Sequence, residues 1–597
     1  MRKLTALLLC LFSLGLFAQG GLKVSNFEIT NPSDEINDGR ASIEVSGGEK
    51  PYHFKWSNQG TDTLSRTANG LVEGVSYSVI VTDAAGEQVT QEFEIPANAV
   101  AETMNGTMKP VVDGIATVIF WDPFYAMGLY DNRVIMDNGE VAKHRNGDNR
   151  TNSIPFIVIW LIFGAIFFTV RMGFVNFWGW KHSIKLIRGA YDEEDAPGEV
   201  THFQALATAV SATVGLGNIA GVAVAISIGG PGATFWLIVV GLLSMASKFT
   251  ECTLGVKYRD IGEDGVVEGG PMRYLRKGLK AKGMGGLGKT LAVIFAVLAI
   301  GASFGGGNMF QANQAFEILA GEFAFMEGHG TSFGIVMALL VGAVILGGIR
   351  SIAKVTEKIV PFMAGLYVLA ALVIIFKNIG NVGEAFGLII EGAFNPSSML
   401  GGFIGVMIQG VRRAAFSNEA GVGSAAIAHS AAKTKHAVSE GFVALLEPFI
   451  DTVLVCTLTA LVLIFTGYYD DGGLGGAQLT SQAFGSVISW FPYVLVIAIF
   501  LFAFSTMISW SYYGLRAWTF LFGRNQTTEI IYKVLFMVFV VIGSSVSLGA
   551  VLDFSDMMIL AMAFPNIIGL LLLSGEVRAE LRDYWAKIKS GEILSKK

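Results

Sequence analysis

Two long apolar segments of this 597-residue chain are each interrupted by glycines and polar residues. The first interruption, residues 213–221, reads TVGLGNIAG, and the second, residues 416–424, reads FSNEAGVGS. Such sequences break an α-helix, which a membrane tolerates only where the freed backbone is buried in protein or lines a cavity. Freed N–H groups can bind a carboxylate, and freed carbonyls can bind a hard cation. Paired breaks in two halves of a chain indicate an inverted-repeat solute carrier.

Ionisable and hydroxyl side chains extend the candidate site. Arg413 lies just before the second break, Glu419 lies within it, and Asp451 lies on the next apolar segment. Charged side chains inside a membrane are costly and usually have a function. Structural pairing of Arg with Glu across helices explains these residues equally well. Ser505 and Thr506 place adjacent hydroxyls in an apolar helix, where they either bond to their own helix or ligate a small cation.

One motif is excluded by its context. Residues 283–290 read GMGGLGKT and satisfy the phosphate-loop pattern. That pattern binds phosphate only between a buried strand and a helix. Here a basic loop precedes it and an apolar span follows, so we do not interpret it as a nucleotide site.

Composition places the chain in the membrane. It is 52% hydrophobic and 15% charged, with a mean hydropathy of +0.55, values typical of a polytopic membrane protein rather than a soluble enzyme. A net charge of −6 gives no reason to expect a nucleic-acid partner. Three cysteines imply no disulfide framework or metal site, and no cofactor is predicted.

The first 152 residues are predicted to lie outside the transport core. Residues 1–20 are typical of a secretory signal peptide. Residues 22–97 alternate apolar and polar residues between turns, which predicts a small extracytoplasmic β-sandwich. Residues 48–57 and 77–83 of this stretch resemble adhesin-type repeats of bacterial surface proteins, which makes a surface protein its candidate partner. Residues 98–152 are interpreted as a linker with an interfacial amphipathic segment.

A transporter domain is predicted over residues 153–577, followed by a cytoplasmic tail, residues 578–597. Eleven spans of about 20 residues are expected. They cover 154–172, 203–228, 231–255, 290–317, 332–349, 356–377, 402–430, 440–466, 488–515, 529–548 and 552–574.

Basic residues orient these spans. The loop 259–289 and the tail are rich in Lys and Arg, whereas the loops 320–331, 378–400 and 467–480 contain neither. The positive-inside rule therefore places the C-terminus in the cytoplasm and, with an odd span count, the β-domain outside. Without the first span, ten remain as two repeats, 203–377 and 402–574. Each repeat opens with a broken helix, and five spans per repeat force the second to run inverted.

Three further motifs carry a family resemblance. Residues 229–236 read GGPGATFW, residues 268–272 read EGGPM, and residues 413–425 read RAAFSNEAGVGSA. The chain closely resembles the alanine or glycine:cation symporter family over residues 154–575. Residues 214–218, VGLGN, also resemble the broken first core helix of the bacterial leucine transporter and its neurotransmitter-symporter relatives. The resemblance implies a leucine-transporter-like 5+5 inverted repeat with one extra N-terminal span.

The resemblance also implies substrate-binding roles. The residues concerned are Leu216, Gly217, Gln311, Phe416, Ser417 and Asn418. The N–H groups of Leu216 and Gly217 would bind the substrate carboxylate, since the following half-helix points the positive end of its dipole there. Gln311 would reach the pocket from the scaffold, and Phe416 would cap it. One departure is Leu216 itself, because the family often has Thr there and a hydroxyl contact is missing.

Cation binding and coupling are implied in the same way. The first sodium site would consist of the Ser211 and Val214 carbonyls with the Ser505 and Thr506 hydroxyls. Thr213 and Asn218 would contribute to a second sodium site. Arg413, Glu419 and Asp451 are the candidates for gating or coupling.

We therefore expect a secondary active transporter in the lipid bilayer of the cell inner membrane that imports alanine or glycine by sodium symport. Coupling to protons, with Glu419 or Asp451 titrating, is the alternative within transport. A membrane-anchored surface sensor or adhesion protein is the alternative from another class. A membrane enzyme is disfavoured because no acid/base pair or metal cluster lies at membrane depth.

Overall fold

A computed structural model describes most of the chain. The described residues are 22–30, 39–57, 62–63, 65–71, 76–94, 114–129, 133, 153–193, 195–326, 328–394, 402–470, 476–545 and 549–596. The chain divides into two compact units, Met1–Thr107 with Val546–Ala550, and Met108–Ser545 with Val551–Lys597. The predicted signal peptide and most of the predicted linker lie outside the described residues.

The first unit contains two small antiparallel sheets. Its strands are β1 (Lys23–Thr30), β2 (Gly39–Ser46), β3 (His53–Trp56), β4 (Asp62–Thr63), β5 (Thr67–Leu71), β6 (Ser76–Thr82) and β7 (Gln88–Glu94). One sheet has the order β1-β2-β5 and the other β4-β3-β6-β7. Alternate residues point to one face of a strand, and both sheets bury such residues in one cluster that includes Ile43, Phe54, Trp56, Leu71, Val81 and Phe93. The likeness to adhesin-type repeats stays a prediction.

The second unit is helical. Its helices are α1 (Pro123–Ala126), α2 (Phe156–Arg171), α3 (Val175–Trp178), α4 (Trp180–Ile187), α5 (His202–Thr213), α6 (Val222–Gly229), α7 (Ala233–Lys257), α8 (Pro271–Ala281), α9 (Gly285–Phe304), α10 (Phe310–Glu322), α11 (Gly330–Ile345), α12 (Gly348–Lys377), α13 (Val382–Phe394), α14 (Gly402–Asn418), α15 (Ala425–His429), α16 (Ala437–Ala444), α17 (Thr457–Thr466), α18 (Gly476–Val487), α19 (Phe491–Phe522), α20 (Gln526–Gly543) and α21 (Gly549–Ser590). The π-helical segments are Gly217–Gly221, Gly305–Met309 and Phe449–Cys456, and short helical turns occupy Ala324–Met326, Ile379–Asn381, Leu446–Pro448 and Tyr468–Asp470. A two-stranded ribbon joins Asp260–Ile261 to Val267–Glu268.

Among the described residues, seven helical segments are long and apolar enough to cross a membrane, or eight if the bent pair at the first break is one span. Helices α2 and α11 are apolar but shorter, at 16 residues each. Helical structure lies at each of the eleven predicted positions. The structure thus supports a polytopic helical membrane protein, while the count of eleven spans stays a prediction.

The first break is a bend of 54° between His202–Thr213 and Gly217–Gly229. Helix α5 begins with a capping box, in which the Thr201 hydroxyl accepts the Gln204 N–H and the Gln204 side chain accepts the Thr201 N–H. It ends at Val214, whose backbone is extended. The second half starts in π-helical geometry, a form frequent at functional sites.

The second break separates α14 from α15. Glu419 takes a left-handed conformation with φ of 50°, and Gly421 and Gly423 follow with φ of 89° and 96°. Glycine adopts this region without steric cost. A Cβ at Gly423 would lie 2.7 Å from the Pro271 ring, so the chain packs there too closely for a side chain.

Two predicted loops contain helices instead. Helix α13 lies within 378–400, and α18 begins within 467–480 and continues to Val487. Ala385 and Ile389 on α13 are buried in one cluster with Leu461 and Ile464 on α17. These helices form because one face of each is buried by tertiary packing, which the lack of Lys and Arg in the loops does not reveal. The predicted tail also begins inside α21, which continues to Ser590.

Part of the predicted interfacial segment is described. Asp122 caps α1 by accepting the Tyr125 N–H at 2.9 Å, and its other carboxylate oxygen accepts the Ile154 N–H at 2.6 Å. Trp121 and Tyr125 are each 51% exposed. Asp122 therefore ties an aromatic-rich turn to the start of α2, whereas its placement at the membrane interface stays a prediction.

The two broken helices meet at what we call the basic end of the unit, marked by Arg259, Lys433 and Lys435. The Arg259 guanidinium donates to four carbonyls there. They are Ser430 O at 2.7 Å, Ala432 O at 2.6 Å, Pro197 O at 2.7 Å and Thr434 O at 2.9 Å. These carbonyls precede α5 and follow α15, so one side chain ties the ends of both broken helices together.

Candidate binding site at the two broken helices

A cluster of oxygen atoms joins the first broken helix to α19. The Thr506 hydroxyl donates to the Ser211 carbonyl at 2.9 Å, and the Ser211 hydroxyl lies 2.7 Å from both the Ser505 carbonyl and the Ser509 hydroxyl. All four residues are buried. The Ser505 hydroxyl bonds back to the Phe502 carbonyl of its own helix at 3.0 Å. Three of the four residues predicted for the first sodium site therefore lie together, and the cluster offers the uncharged oxygen ligands that a hard cation takes.

Two further residues border this cluster on the side of the break. A Cβ at Gly215 would lie 3.4 Å from the Thr506 hydroxyl and 3.9 Å from Gln311 Oε1. The Gln311 amide nitrogen donates to Gly306 O at 3.0 Å, but its oxygen has no hydrogen-bond partner among the described residues. Buried polar atoms are normally satisfied. Gln311 thus presents to the first break an acceptor that has no partner among the described residues.

The start of the second half-helix leaves room for a ligand. Leu216 is buried, while Gly217 is partly exposed. Apart from its chain neighbours and the adjacent backbone of its own helix, no described atom lies within 4 Å of the position that a Cβ would occupy. N–H groups in the first turn of a helix lack intrahelical acceptors. The predicted carboxylate position therefore lies at the start of a helix and beside open space.

Asn218 connects the two breaks. Its amide oxygen accepts the Gly215 N–H at 2.8 Å, and its amide nitrogen faces Ser417 Oγ at 3.0 Å and the Asp451 carboxylate. The Ser417 hydroxyl donates to Asp451 Oδ2 at 2.5 Å. The predicted residues Asn218, Ser417 and Asp451 are thus brought together in a fully buried polar cluster, although sequence reasoning had assigned them to different roles.

The cluster extends along the second break. The Asn418 amide donates to Thr452 Oγ1 at 3.0 Å, and Thr452 Oγ1 lies 2.9 Å from Asp451 Oδ2. Thr213, the other residue predicted for a second sodium site, instead directs its hydroxyl to the carbonyls of Ala209 and Val210. Its side chain is bonded to its own helix rather than to Asn218.

The remaining predicted residues line the second broken helix. The Arg413 guanidinium lies 6.0 Å from the centre of the Phe416 ring, a cation–π distance. Arg413 also lies 3.6 Å from the position of a Cβ at Gly221, across from the first break. Glu419 accepts a hydrogen bond from the Ser424 hydroxyl at 2.5 Å, which links the two ends of the segment between α14 and α15.

Several polar residues of the site were not predicted. The freed carbonyls of the first break are met by neighbouring helices, with Thr459 Oγ1 3.0 Å from Asn218 O and Thr480 Oγ1 3.2 Å from Ile219 O. Thr452 and Ser509 were missed as well. Asp451, Thr452 and Thr459 recur at helical spacing in an apolar span, and that recurrence was the available signal.

The chain is similar to several known proteins. A family model described as the sodium:alanine symporter family matches residues 143–597. The sodium/alanine symporter AgcS of Methanococcus maripaludis is 43% identical over 73% of this chain and 96% of its own length. From Bacillus subtilis, the probable sodium/glutamine symporter GlnT is 36% identical over 73% of this chain and 89% of its length, and the amino-acid carrier protein AlsT is 36% identical over 74% and 93%. A solved structure of MhsT in complex with L-phenylalanine aligns with a TM-score of 0.46 and 13% identity over 64% of this chain and 98% of that chain.

Proposed function

Because this chain belongs to the sodium:alanine symporter family, and is a transporter rather than an enzyme, we propose that it imports a small neutral amino acid, alanine or glycine, together with sodium. The observation that carries the proposal is the junction of Ser211, Ser505 and Thr506 beside the open space at Gly217. It offers oxygen ligands for a cation and helix N–H donors for a carboxylate at one break. An amino acid and a sodium ion need these two kinds of group.

We place the substrate carboxylate at the N–H groups of Leu216 and Gly217. The substrate ammonium would then meet the free oxygen of Gln311. Phe416 would lie over the substrate, with Ser417 and Asn418 supporting it from the second break. A short side chain suits this arrangement, and the relative AgcS is named as a sodium/alanine symporter.

We place one sodium ion among the Ser211 and Val214 carbonyls and the Ser505 and Thr506 hydroxyls. The Thr506 hydroxyl, which donates to the Ser211 carbonyl, would turn its lone pairs to the ion. A second ion near Thr213 and Asn218 would require the Thr213 hydroxyl to leave its own helix. Sodium entering a cell gains about 2.3 kcal/mol per charge per 100 mV, which can drive accumulation of a neutral zwitterion.

We further propose that the protein lies in the cell inner membrane, with the basic end and the C-terminus in the cytoplasm and the β unit outside. Lys and Arg concentrate in the loops of the basic end, as the positive-inside rule requires for a cytoplasmic face. In this orientation the β unit is an accessory that can contact a surface protein. Access of a membrane-impermeant cysteine reagent to single cysteines placed at residues 87 and 591 would test it.

Uptake of labelled alanine into proteoliposomes tests the transport function. We expect accumulation with an inward sodium gradient and little with lithium or a proton gradient alone. Unlabelled glycine should compete with alanine more strongly than glutamine does. Accumulation driven equally well by a proton gradient without sodium would contradict sodium symport, and stronger competition by glutamine would contradict the assignment of a small substrate.

A further inference from the structure

A second set of ionisable side chains is buried away from the candidate binding site. We call it the buried charge chain, and it consists of His202, Lys248, Glu251, His429, Glu440 and Glu447. All are 0% exposed except His202, at 3%. They come from α5, α7, α15, α16 and the turn after α16, so the chain joins both broken helices to their neighbours.

The chain begins at the basic end. Asp192, whose side chain is half exposed, lies 4.0 Å from His202 Nε2. His202 Nδ1 contacts one carboxylate oxygen of Glu440, and the other oxygen lies 2.5 Å from His429 Nδ1. One buried carboxylate therefore bridges two imidazoles, one from each broken helix.

The chain continues to the second break. His429 Nε2 lies 3.8 Å from Glu447 Oε2, and Glu447 Oε1 lies 2.9 Å from Lys248 Nζ. Lys248 Nζ is also 3.8 Å from Glu251 Oε1, while the other oxygen of Glu251 accepts the Gly421 N–H at 3.2 Å. Consecutive groups of the chain are thus no more than 4.0 Å apart from the surface to the unwound backbone of the second break.

Charge balance indicates that the chain holds protons. One ammonium faces three carboxylates, which leaves two negative charges if both imidazoles are neutral. Net charge buried in protein is strongly unfavourable. Protonation of His202 and His429 makes the six groups neutral, and each imidazolium then donates to the shared carboxylate of Glu440.

The surroundings reinforce this balance. The titratable groups that act on the chain include Asp192, Cys252, Arg259, Tyr274, Glu419, Asp451 and Tyr513. Six more line one cavity with His202, namely Tyr191, Glu193, Lys433, Lys435, His436 and Tyr584. The cations among these groups are Arg259, Lys433 and Lys435, and they are outnumbered by four carboxyl groups, those of Asp192, Glu193, Glu419 and Asp451. These groups therefore supply no net positive charge that could balance the buried carboxylates in place of protonated His202 and His429.

We propose that the buried charge chain is a proton-binding site, loaded while the basic end is closed and emptied toward that side through His202 when the end opens. The proposal rests on alternating access, and so on the proposed transport function. Opening must separate the ends of α5 and α15 and expose His202 to water. An exposed imidazole exchanges its proton near neutral pH. The imidazolium N–H bond breaks, water takes the proton, and the electron pair stays on the ring.

Histidine protonation can be measured without any substrate. Nitrogen NMR spectra of ¹⁵N-histidine-labelled protein in lipid nanodiscs report the protonation of each ring. The signals of His202 and His429, two of the seven histidines, are assigned by their absence in His202→Gln and His429→Gln. We expect both ring nitrogens of His429 to carry protons from about pH 6 to about pH 8, whereas burial lowers the pKa of His436, which should lose its second proton at lower pH than His429. A neutral His429 throughout this range would overturn the proposal.

Transport provides the second test. If opening releases a proton, sodium-driven alanine uptake should speed up as the pH on the side of the basic end rises. His429→Gln keeps a donor to Glu440 but cannot be charged, so its profile should be flat. His436→Gln, near Glu193 and outside the chain, should keep the wild-type profile. A His429→Gln profile identical to wild type would overturn the proposal.

The two tests separate the hypotheses. Wild type that takes up no alanine with sodium contradicts the proposed function, while the histidine spectra still decide the protonation of the chain. Sodium-dependent alanine binding by each variant at one pH shows that it is folded. If His429→Gln does not fold, Glu440→Gln, which removes the bridging charge and keeps hydrogen-bonding capacity, takes its place with the same expected flat profile.

Discussion

Gly217 is the residue whose side-chain position is left open at the first break. Apart from its chain neighbours and the adjacent helix backbone, a Cβ there would meet no described atom within 4 Å, and the backbone of Gly217 is not left-handed. We therefore expect Gly217→Val to fold normally and to abolish sodium-dependent alanine binding, because the valine would occupy the proposed carboxylate position. Equilibrium binding to purified protein, with thermal unfolding as the check on folding, measures both effects.

Gly221 supplies the matched control for that substitution. It lies one turn further along the same half-helix, where a Cβ would make an ordinary contact with the Arg413 side chain at 3.6 Å. Gly221→Ala should retain binding within a small factor. Sodium-dependent alanine binding by Gly217→Val, or equal loss in both variants, would place the substrate elsewhere.

Substitution of Thr506 tests cation binding separately from substrate binding. Thr506→Val keeps the shape of the side chain but removes the hydroxyl that lies 2.9 Å from the Ser211 carbonyl. A hydrogen bond or ligand to a charged group contributes about 1.5–3 kcal/mol, so we expect the sodium concentration for half-maximal uptake to rise on the order of tenfold. Alanine affinity at saturating sodium should change less. An unchanged sodium dependence would reduce Thr506 to a structural contact.

At the scale of residues, the sequence predicted which groups lie around the first break better than it predicted which residues those groups contact. The neighbours of Ser211 could be expected because the resemblance links them as a set. The contacts of Asn218 with Ser417 and Asp451 could not, since they join segments some 200 residues apart whose relative rotation depends on tertiary packing. Asp451, which is predicted to act in gating or coupling, consequently lies in one cluster with Asn218, which is predicted to bind sodium.

At the scale of elements, the broken helices depend on their neighbours for hydrogen bonds. Thr459 on α17 meets the freed carbonyl of Asn218. We expect Thr459→Val to destabilise the protein by about 1–3 kcal/mol, because a buried carbonyl loses its donor. A lower thermal unfolding midpoint and weaker alanine binding would report this loss together.

Thr466 on the same helix is the control for Thr459. Its hydroxyl bonds to the Val462 carbonyl of its own helix at 2.8 Å, so Thr466→Val should have little effect on either measurement. Equal effects of the two substitutions would mean that the hydroxyl of Thr459 does not support the break.

The breaks themselves were predictable as elements, since glycine clusters in apolar segments interrupt helices wherever they occur. Helices α13 and α18 were not predicted. Their helicity depends on packing against α17 and against the first break, and short isolated helices are marginal without such packing.

At the scale of the whole molecule, the chain divides into a small β unit and a large helical unit. The described contacts of the candidate site all lie within the helical unit. We expect deletion of residues 22–100, with the predicted signal peptide kept, to leave sodium-driven alanine uptake nearly intact. Loss of uptake by a deletion variant that still inserts in the membrane would make the β unit part of the transport machinery.

The guanidinium of Arg259 has a consequence for how the molecule moves. It holds carbonyls from the start of one broken helix and from the end of the other. Movement of either helix alone would break some hydrogen bonds of the guanidinium and leave its charged N–H groups unpaired. Each such hydrogen bond contributes about 1.5–3 kcal/mol. In the proposed transport cycle we therefore expect this end to open in an all-or-none manner, with a shorter-lived closed state when Arg259 is replaced by Gln.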